Sequence, residues 1–226
     1  MKTNQLTSAY RLISELFLYP ESRDQDLIEA EVAALQGASA ELLSPIEAFL
    51  AAPASSSVEE YIATLELAPP VPLYLGAHLY DEPESCRGAG MSGRNAYMLE
   101  LSNIYRHFGV EHDGRELPDF VPVIVEFLGL SLARRDEDQI GLRRYLVETL
   151  LLNGIESLLS ALRKYESPYA HLVDSLRVAL AEDIRQMAGG PKWQPPAKDG
   201  RTSESTAAVR GPTANNRPVL ETRAEL

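Results

Sequence analysis

The chain has 226 residues, of which 45% are hydrophobic and 7% aromatic, which is enough for the core of one domain or of two small ones. Acidic residues outnumber basic ones by 33 to 21, and the net charge of −12 argues against a nucleic-acid ligand. A single cysteine, Cys86, excludes an internal disulfide and a site of paired thiolates, so we expect a reducing cytoplasm.

The beginning of the chain gives no targeting signal. The first ten residues are polar and open an amphipathic segment, without the basic and then apolar regions of a signal peptide. Farther along, Arg, Asp or Glu interrupts each hydrophobic stretch before it reaches the ~18 residues that a membrane span needs. The sequence therefore predicts a soluble, cytoplasmic protein without membrane insertion.

Helix start signals recur along the chain about every twenty residues. Ser44-Pro45-Ile46-Glu47 and Ser57-Val58-Glu59-Glu60 each combine an N-cap serine with the glutamate of a capping box. Ser22 to Gln25 is a weaker version, and Ser167-Pro168 opens a last helix. Apolar residues between these signals fall on helical stripes at Tyr97, Leu101, Ile104, Tyr105 and Phe108, and at Leu172, Leu176, Leu180, Ile184 and Met187.

Two further segments predict long or central helices. Ile140 to Leu162 has leucines along one side, although Gly154 weakens its middle. Phe120 to Leu132 is apolar almost all round, which is typical of a buried helix. Its Val123-Ile124-Val125 run would also suit a buried strand, but no second strand is available to pair with it. The pattern predicts an all-α fold, a single-domain bundle of seven or eight helices.

The composition changes at about Gly189 to Gly, Pro, Ser, Thr, Asn and isolated charges. We therefore predict an all-helical domain over residues 1–188 and a disordered C-terminal tail over residues 189–226. The tail holds six basic and four acidic residues, which leaves 29 acidic and 15 basic residues, a net charge of −14, in the domain. The acidity of the chain belongs to the domain.

Residues that could perform chemistry are few. The loop Gly88 to Gly93 matches G-x-G-x-x-G, but no apolar strand precedes it and no βαβ unit follows, so a pyrophosphate site is the minor alternative there. His107 and His112 do not share a helix face, and Cys86 has acidic neighbours that raise a thiol pKa. The sequence predicts neither catalytic residues nor metal ligands.

The segment Glu116-Leu117-Pro118-Asp119-Phe120-Val121-Pro122 begins the most hydrophobic helix. Asp119 is readily explained as an N-cap, with the two prolines fixing the entry of the chain. Glu126 is a charge in an otherwise apolar helix and must reach solvent, pair with an arginine or face a groove. A groove with an acidic rim and an apolar floor would suit a basic, amphipathic peptide.

The run from Glu116 to Leu128 resembles the E-L-P-D-x-x-P-x-x-L-E-F-L signature of the nitrate reductase delta-subunit (NarJ-like) assembly chaperones, within the wider group of TorD- and DmsD-like chaperones. Arg87-Gly88 with Met91, then Tyr105 to Gly109, and Leu16 to Pro20 resemble further family motifs. The resemblance covers residues of about 8 to 185 and is most specific from Tyr74 to Leu128. The chain departs from the pattern at Gly76-Ala77-His78, in a longer loop, and at Val125, which leaves the identity of the client open.

The resemblance implies a chaperone, not an enzyme, that serves anaerobic respiration. Its partner would be the N-terminal peptide of the apo catalytic subunit of a molybdoenzyme, either nitrate reductase or a related reductase or dehydrogenase. The chaperone would bind no permanent cofactor, assist insertion of molybdopterin guanine dinucleotide, contact cofactor-delivery proteins, and leave before the enzyme is mature. The implied peptide-binding residues are Arg87, Met91, Tyr105, Glu116, Asp119, Phe120 and Glu126. The alternatives are a nucleotide-dependent enzyme using Gly88 to Gly93 and a structural subunit of the mature complex.

Overall fold

The computed structural model describes residues 2–66, 69–81, 92–112, 114–133, 137–193 and 219–220. The described residues contain nine α-helical segments, α1 to α9 in chain order: Thr3–Leu16, Gln25–Ala34, Ala40–Ala51, Val58–Tyr61, Gly93–His107, Val121–Ser131, Glu137–Tyr145, Leu152–Lys164 and Tyr169–Gln186. A π-helical stretch, Leu146–Leu151, joins α7 to α8 without a break, so these two form one long helix. The predicted all-α fold of seven or eight helices is confirmed.

Short elements complete the described part of the chain. Single 3₁₀ turns lie at Pro20–Ser22, Pro53–Ser56 and Leu75–His78, and a π-helical stretch, Ile62–Glu66, follows α4. Two strands of two residues, β1 (Glu111–His112) and β2 (Val219–Leu220), pair in parallel, with Glu111 opposite Val219 and His112 opposite Leu220. Beyond these pairings the architecture is one of helices packed on helices.

Helix α6 is the centre of the bundle, as its apolar sequence predicts. Nine of its eleven residues are buried, and only Glu126 and Leu130 reach the surface appreciably. Helix α1 packs along α6, and α9 packs on α1, α3 and α8. Because a helix that is apolar all round needs neighbours on every side, this arrangement removes the free face that a surface helix would have.

The predicted helix starts at Ser57 and at Ser167-Pro168 are confirmed: Ser57 caps α4, its Oγ accepting a hydrogen bond from the Glu60 N–H at 3.1 Å, and α9 begins directly after Pro168. The start predicted at Ser22 is two residues early, because Ser22 ends a 3₁₀ turn and Asp24 caps α2 through the Leu27 N–H at 3.0 Å. The predicted start at Ser44-Pro45 is wrong, because α3 already begins at Ala40 and contains Pro45.

Helix α3 accommodates this proline because its apolar face extends to both sides of it. Leu42, Ile46 and Phe49 recur at helical spacing and are all buried, so packing favours one continuous helix. Pro45 removes a single backbone hydrogen bond close to the helix start, which this burial offsets.

The long helix formed by α7, the π stretch and α8 confirms the prediction over Ile140 to Leu162. Its Gly154 is required by packing: a Cβ atom there would lie 2.5 Å from the Leu75 Cγ atom. The glycine therefore lets the Leu75–His78 turn lie directly on α8. Opposite the π stretch, the Tyr97 hydroxyl donates to the Leu150 carbonyl oxygen at 3.2 Å.

The same helix also passes a test for membrane spans. Among the described residues, Asp138–Lys164 is the helix long and apolar enough, with a mean hydropathy of 1.3. Glu148 and Glu156 interrupt its apolar sequence, as expected, but two charges are too few to lower the mean hydropathy below that of a candidate span. Half of its apolar window is buried inside the bundle, and Leu146, Leu158 and Leu162 are fully buried, so its apolar side belongs to the protein core.

A buried polar cluster joins four helices and was not predicted from the sequence. The Tyr10 hydroxyl on α1 donates to Asp183 Oδ2 on α9 at 2.8 Å. Arg143 on α7 forms an ion pair with Asp183 and donates to the Ser131 hydroxyl on α6. Burial first, and then the Asp183 carboxylate, raise the pKa of Tyr10 well above its usual value. Paired in this way, the two charges are compensated inside the core.

The chain after α9 remains on the bundle as far as Trp193. The Trp193 ring packs on Tyr145 of α7, with their centroids 4.6 Å apart. These residues belong to the predicted tail; the rest of it, apart from Val219 and Leu220, lies outside the described residues.

Candidate functional site

The E-L-P-D segment, Glu116 to Pro122, is held by backbone hydrogen bonds to residues 73–75, more than forty residues earlier in the chain. The Leu75 N–H donates to the Asp119 carbonyl oxygen, and the Val121 N–H donates to the Leu73 carbonyl oxygen, both at 2.8 Å. Tyr74 and Phe120 thus form an antiparallel bridge immediately before α6. Tyr74, which begins the most specific part of the resemblance, thus lies against the E-L-P-D segment.

Asp119 lies inside this junction and is fully buried. Its Oδ2 atom accepts hydrogen bonds from the Gly76 N–H at 3.1 Å and from Arg94 Nε at 3.2 Å. Its Oδ1 atom has no hydrogen-bond partner among the described residues. The N-cap interpretation of Asp119 is wrong: Phe120 is the N-cap of α6, and the Asp119 side chain crosses to another segment instead.

Gly76 makes this crossing possible. A Cβ atom at this position would lie 2.6 Å from Asp119 Oδ2 and 2.9 Å from Arg94 Cγ. Any larger residue would push apart the carboxylate and its two donors. Gly76 departs from the family pattern, and in this chain the packing of Asp119 requires a glycine at that position.

Glu116 is half-buried at the surface above this junction. The Tyr74 hydroxyl donates to Glu116 Oε2 at 2.6 Å, and the Tyr74 ring packs on Phe120 with centroids 5.2 Å apart. Burial, followed by the bond to Glu116, raises the pKa of Tyr74. Burial, and then the charge of Glu116, raise the pKa of Glu66. We call Glu66 and Glu116 the acidic patch.

Tyr105 and Phe120 are structural parts of the junction. Tyr105 is almost fully buried; its hydroxyl donates to the Pro118 carbonyl oxygen at 2.8 Å, and its ring packs on Phe127 with centroids 4.5 Å apart. Phe120 is buried beneath Tyr74. Both side chains shape the segment from below and present little surface to a ligand.

The remaining predicted residues are farther away or not described. Glu126 is half-buried on α6, seven residues after Asp119 and about 10 Å farther along at the helical rise. Arg87 and Met91 lie outside the described residues, as do Cys86 and most of the Gly88 to Gly93 loop.

Three residues of the junction were missed as site residues: Tyr74, Gly76 and Arg94. Arg94 joins the start of α5 to Asp119, and its guanidinium carbon lies 5.9 Å from the centre of the Tyr74 ring. A lone arginine in the first turn of a helix gives no signal by itself, since the helix dipole disfavours a cation there only weakly. The signal available was the E-L-P-D segment, whose buried acid requires a cationic or N–H partner.

The site offers carboxylates, aromatic rings and strand-like backbone on an all-helical scaffold. Among the described residues, no three His, Cys, Asp or Glu side chains gather closely enough to hold a metal ion. The site therefore offers groups that form hydrogen bonds, ion pairs and apolar contacts. Fold and site together define an all-helical protein whose E-L-P-D segment is built around a buried carboxylate.

Comparison with known proteins gives the family. The chain belongs to the nitrate reductase delta subunit family, whose model matches residues 29–175. This is a family of molybdoenzyme assembly chaperones, and the resemblance found in the sequence is thereby confirmed.

Curated relatives are the nitrate reductase-like protein NarX of Mycobacterium tuberculosis, from strain CDC 1551 / Oshkosh and from strain ATCC 25618 / H37Rv. Each is 30% identical over 169 residues, covering 73% of this chain and 23% of the relative. The chain thus spans less than a quarter of the length of the curated relatives it matches.

Proposed function

We propose that the chain is an assembly chaperone that binds the N-terminal region of a molybdoenzyme catalytic subunit, either nitrate reductase or a related reductase or dehydrogenase. It assists insertion of molybdopterin guanine dinucleotide into the client in the cytoplasm, holds no permanent cofactor and leaves before the enzyme is mature. Cofactor-delivery proteins are its further partners. The observation that carries the proposal is the family match over residues 29–175, which contains every candidate site residue.

The charge of the domain supports a basic client peptide. Residues 1–188 carry a net charge of −14, and the acidic patch of Glu66 and Glu116 concentrates part of it beside the E-L-P-D segment. Such a field attracts a cationic peptide and raises its association rate. Leu117, next to Glu116, is 44% exposed and offers an apolar contact for an amphipathic peptide.

The predicted site residues take different parts in this proposal. Glu116 contacts the peptide directly, and Glu126 supplies a second carboxylate on α6. Asp119, Tyr105 and Phe120 act from below by fixing the shape of the segment, since all three are buried. Arg87 and Met91 are included in the proposed site only because they match the family motif.

The experiment is a pulldown of the full chain from anaerobically grown cells, with identification of the proteins that co-purify. A synthetic peptide of the client N-terminus is then titrated against the wild type and Glu116→Gln. We expect Glu116→Gln to raise the peptide Kd about fivefold, or ~1 kcal/mol, because it removes one charge from the acidic patch.

Glu47→Gln is the matched control, since Glu47 is an exposed carboxylate on α3. It has the same change in net charge and should leave the Kd within twofold of the wild type. Absence of any molybdoenzyme subunit from the pulldown would refute the proposed function. Equal effects of the two variants would refute the place assigned to the acidic patch.

A further inference from the structure

The segment between α5 and α6 holds a strand edge beside the candidate site. Strand β1 ends at His112, and Glu116 follows four residues later. Val219–Leu220, from the C-terminal part of the chain, pairs with β1 in parallel and also packs against α6. An added strand is a common way for a protein to bind an extended peptide, because the strand edge supplies backbone hydrogen bonds that do not depend on sequence.

A second contact places the same part of the chain on the bundle. At Gly141 of α7, a Cβ atom would lie 3.1 Å from the Pro191 carbonyl oxygen and 3.2 Å from the Trp193 nitrogen. At Gly190, a Cβ atom would lie 2.7 Å from Ile140 Cγ2. Two glycines thus allow a close approach of the chain to α7, and the Trp193 ring completes it on Tyr145.

Tyr145, on which Trp193 packs, also bonds to a helix of the candidate site. The Tyr145 hydroxyl donates to Glu100 Oε1 of α5 at 2.7 Å. The Glu100 contact follows burial as a cause of the rise in the Tyr145 pKa to about 12. Helix α5 also carries Arg94 and Tyr105, which hold the E-L-P-D segment. Trp193 and Val219 therefore contact α7 and β1, and α7 is joined through Glu100 to the helix that holds the segment.

The chain between the two contacts is long enough to join them and suits the domain in charge. Residues 194–218 number 25 and can span up to roughly 80 Å when extended, more than the width of a small domain. A covalent connection of this length gives an effective concentration on the order of millimolar. Residues 189–226 carry two more basic than acidic residues, opposite in sign to the domain.

We propose that strand β2, Val219–Leu220, is an internal ligand of this chain. It binds the edge of β1 as an added strand and occupies the border of the candidate site. The client peptide then has to displace it, an inference that rests on the proposed function. When a site is free for only a fraction of the time, its apparent affinity for a ligand is multiplied by that fraction. The internal ligand therefore lowers the apparent affinity for every peptide, and weakly binding peptides no longer bind appreciably.

The first test concerns the internal ligand alone and uses the full chain. The double variant Val219→Pro with Leu220→Pro removes the two backbone N–H groups of β2, which proline lacks. We expect faster amide hydrogen exchange in residues 110–112 than in the wild type. Ala214→Pro, in the same segment but outside β2, is the control and should leave this exchange unchanged. Equal exchange in all three proteins would overturn the proposal.

The second test measures competition with the client peptide. The double variant should bind the peptide about tenfold more tightly than the wild type if β1 is free about a tenth of the time. Ala214→Pro should match the wild type. Faster exchange with an unchanged peptide Kd would overturn the competition. Faster exchange without peptide binding to any of the proteins would refute the proposed function while supporting the internal ligand.

Discussion

Asp119 shows how one buried carboxylate can organise the surface of the candidate site without reaching that surface itself. Its Oδ2 atom joins the Gly76 backbone to the Arg94 side chain and so ties three parts of the chain together. Arg94 keeps 26% of its side chain exposed, so part of its charge stays hydrated. The cost of burying the pair therefore falls mainly on the carboxylate.

Replacing Asp119 should weaken the fold more than replacing Glu116 above it. Asp119→Ala leaves the Gly76 N–H and Arg94 without their acceptor, and we expect a loss of about 2 kcal/mol in the free energy of unfolding. Asp119→Asn keeps an acceptor oxygen and should lose less. Urea denaturation followed by circular dichroism measures both, with Glu116→Gln as the control. A loss below that of Glu116→Gln would contradict the role given to Asp119.

The sequence located this segment but not the partners of its residues. An aspartate just before an apolar helix is usually an N-cap, and that local rule produced the wrong interpretation of Asp119. Gly76 and Arg94 lie 43 and 25 residues away, and their pairing depends on how the 3₁₀ turn and α5 pack in three dimensions. Local patterns contain no information on such distant contacts.

At the scale of elements, the cluster of Tyr10, Ser131, Arg143 and Asp183 fixes the relative positions of α1, α6, α7 and α9. Each hydrogen bond in it joins two different helices. Apolar side chains allow helices to slide and still remain buried, whereas a buried ion pair tolerates only one arrangement. We therefore attribute the register of these four helices to this cluster.

Two aspartates of α9 allow a direct comparison of a buried and an exposed ion pair. Asp183→Ala leaves Arg143 charged and buried, and we expect a loss of about 3–5 kcal/mol in the free energy of unfolding. Asp174→Ala breaks only surface pairs, those with Arg163 and Arg177, and should cost less than ~1 kcal/mol. Thermal unfolding of both variants tests this. Similar losses would show that the buried cluster is not the stronger link.

The helices themselves were largely predictable. Each stripe of apolar residues extends over several turns, so an error of a few residues in a predicted helix end does not remove the helix. Each of the five residues from Tyr97 to Phe108 in the predicted stripe is buried. The start of α3 was misplaced, because Pro45 gives a strong local start signal that the burial of Leu42 and Phe49 overrides. Gly154 was read as a weakness of the helix, whereas the contact with Leu75 requires it.

At the scale of the whole molecule, buried tyrosines make the fold sensitive to alkali. Burial is the largest cause of the raised pKa of Tyr10, Tyr61, Tyr97 and Tyr105. Above pH ~10 the unfolded chain loses tyrosine protons that the folded chain keeps. The folded state then binds more protons, so the free energy of unfolding falls as the pH rises toward the raised pKa values.

We expect this fall to be about 1.4 kcal/mol per pH unit for each such tyrosine above pH ~10, with no tyrosine contribution at lower pH. Urea denaturation at a series of pH values measures the slope, and the ultraviolet absorbance of tyrosinate reports ionisation. Tyr105→Phe should reduce the slope by the share of one tyrosine. A slope that stays near zero until well above this range would contradict the prediction.

The hydrogen bond from Tyr10 to Asp183 spans 173 residues and joins the first helix to the last. During synthesis the amino-terminal helices leave the ribosome long before α9, and until then Tyr10 and Arg143 lack their common acceptor. A nascent chain therefore cannot close its core before almost the whole bundle has been translated. Under the proposed function, a chain that still lacks α9 would therefore not capture a client.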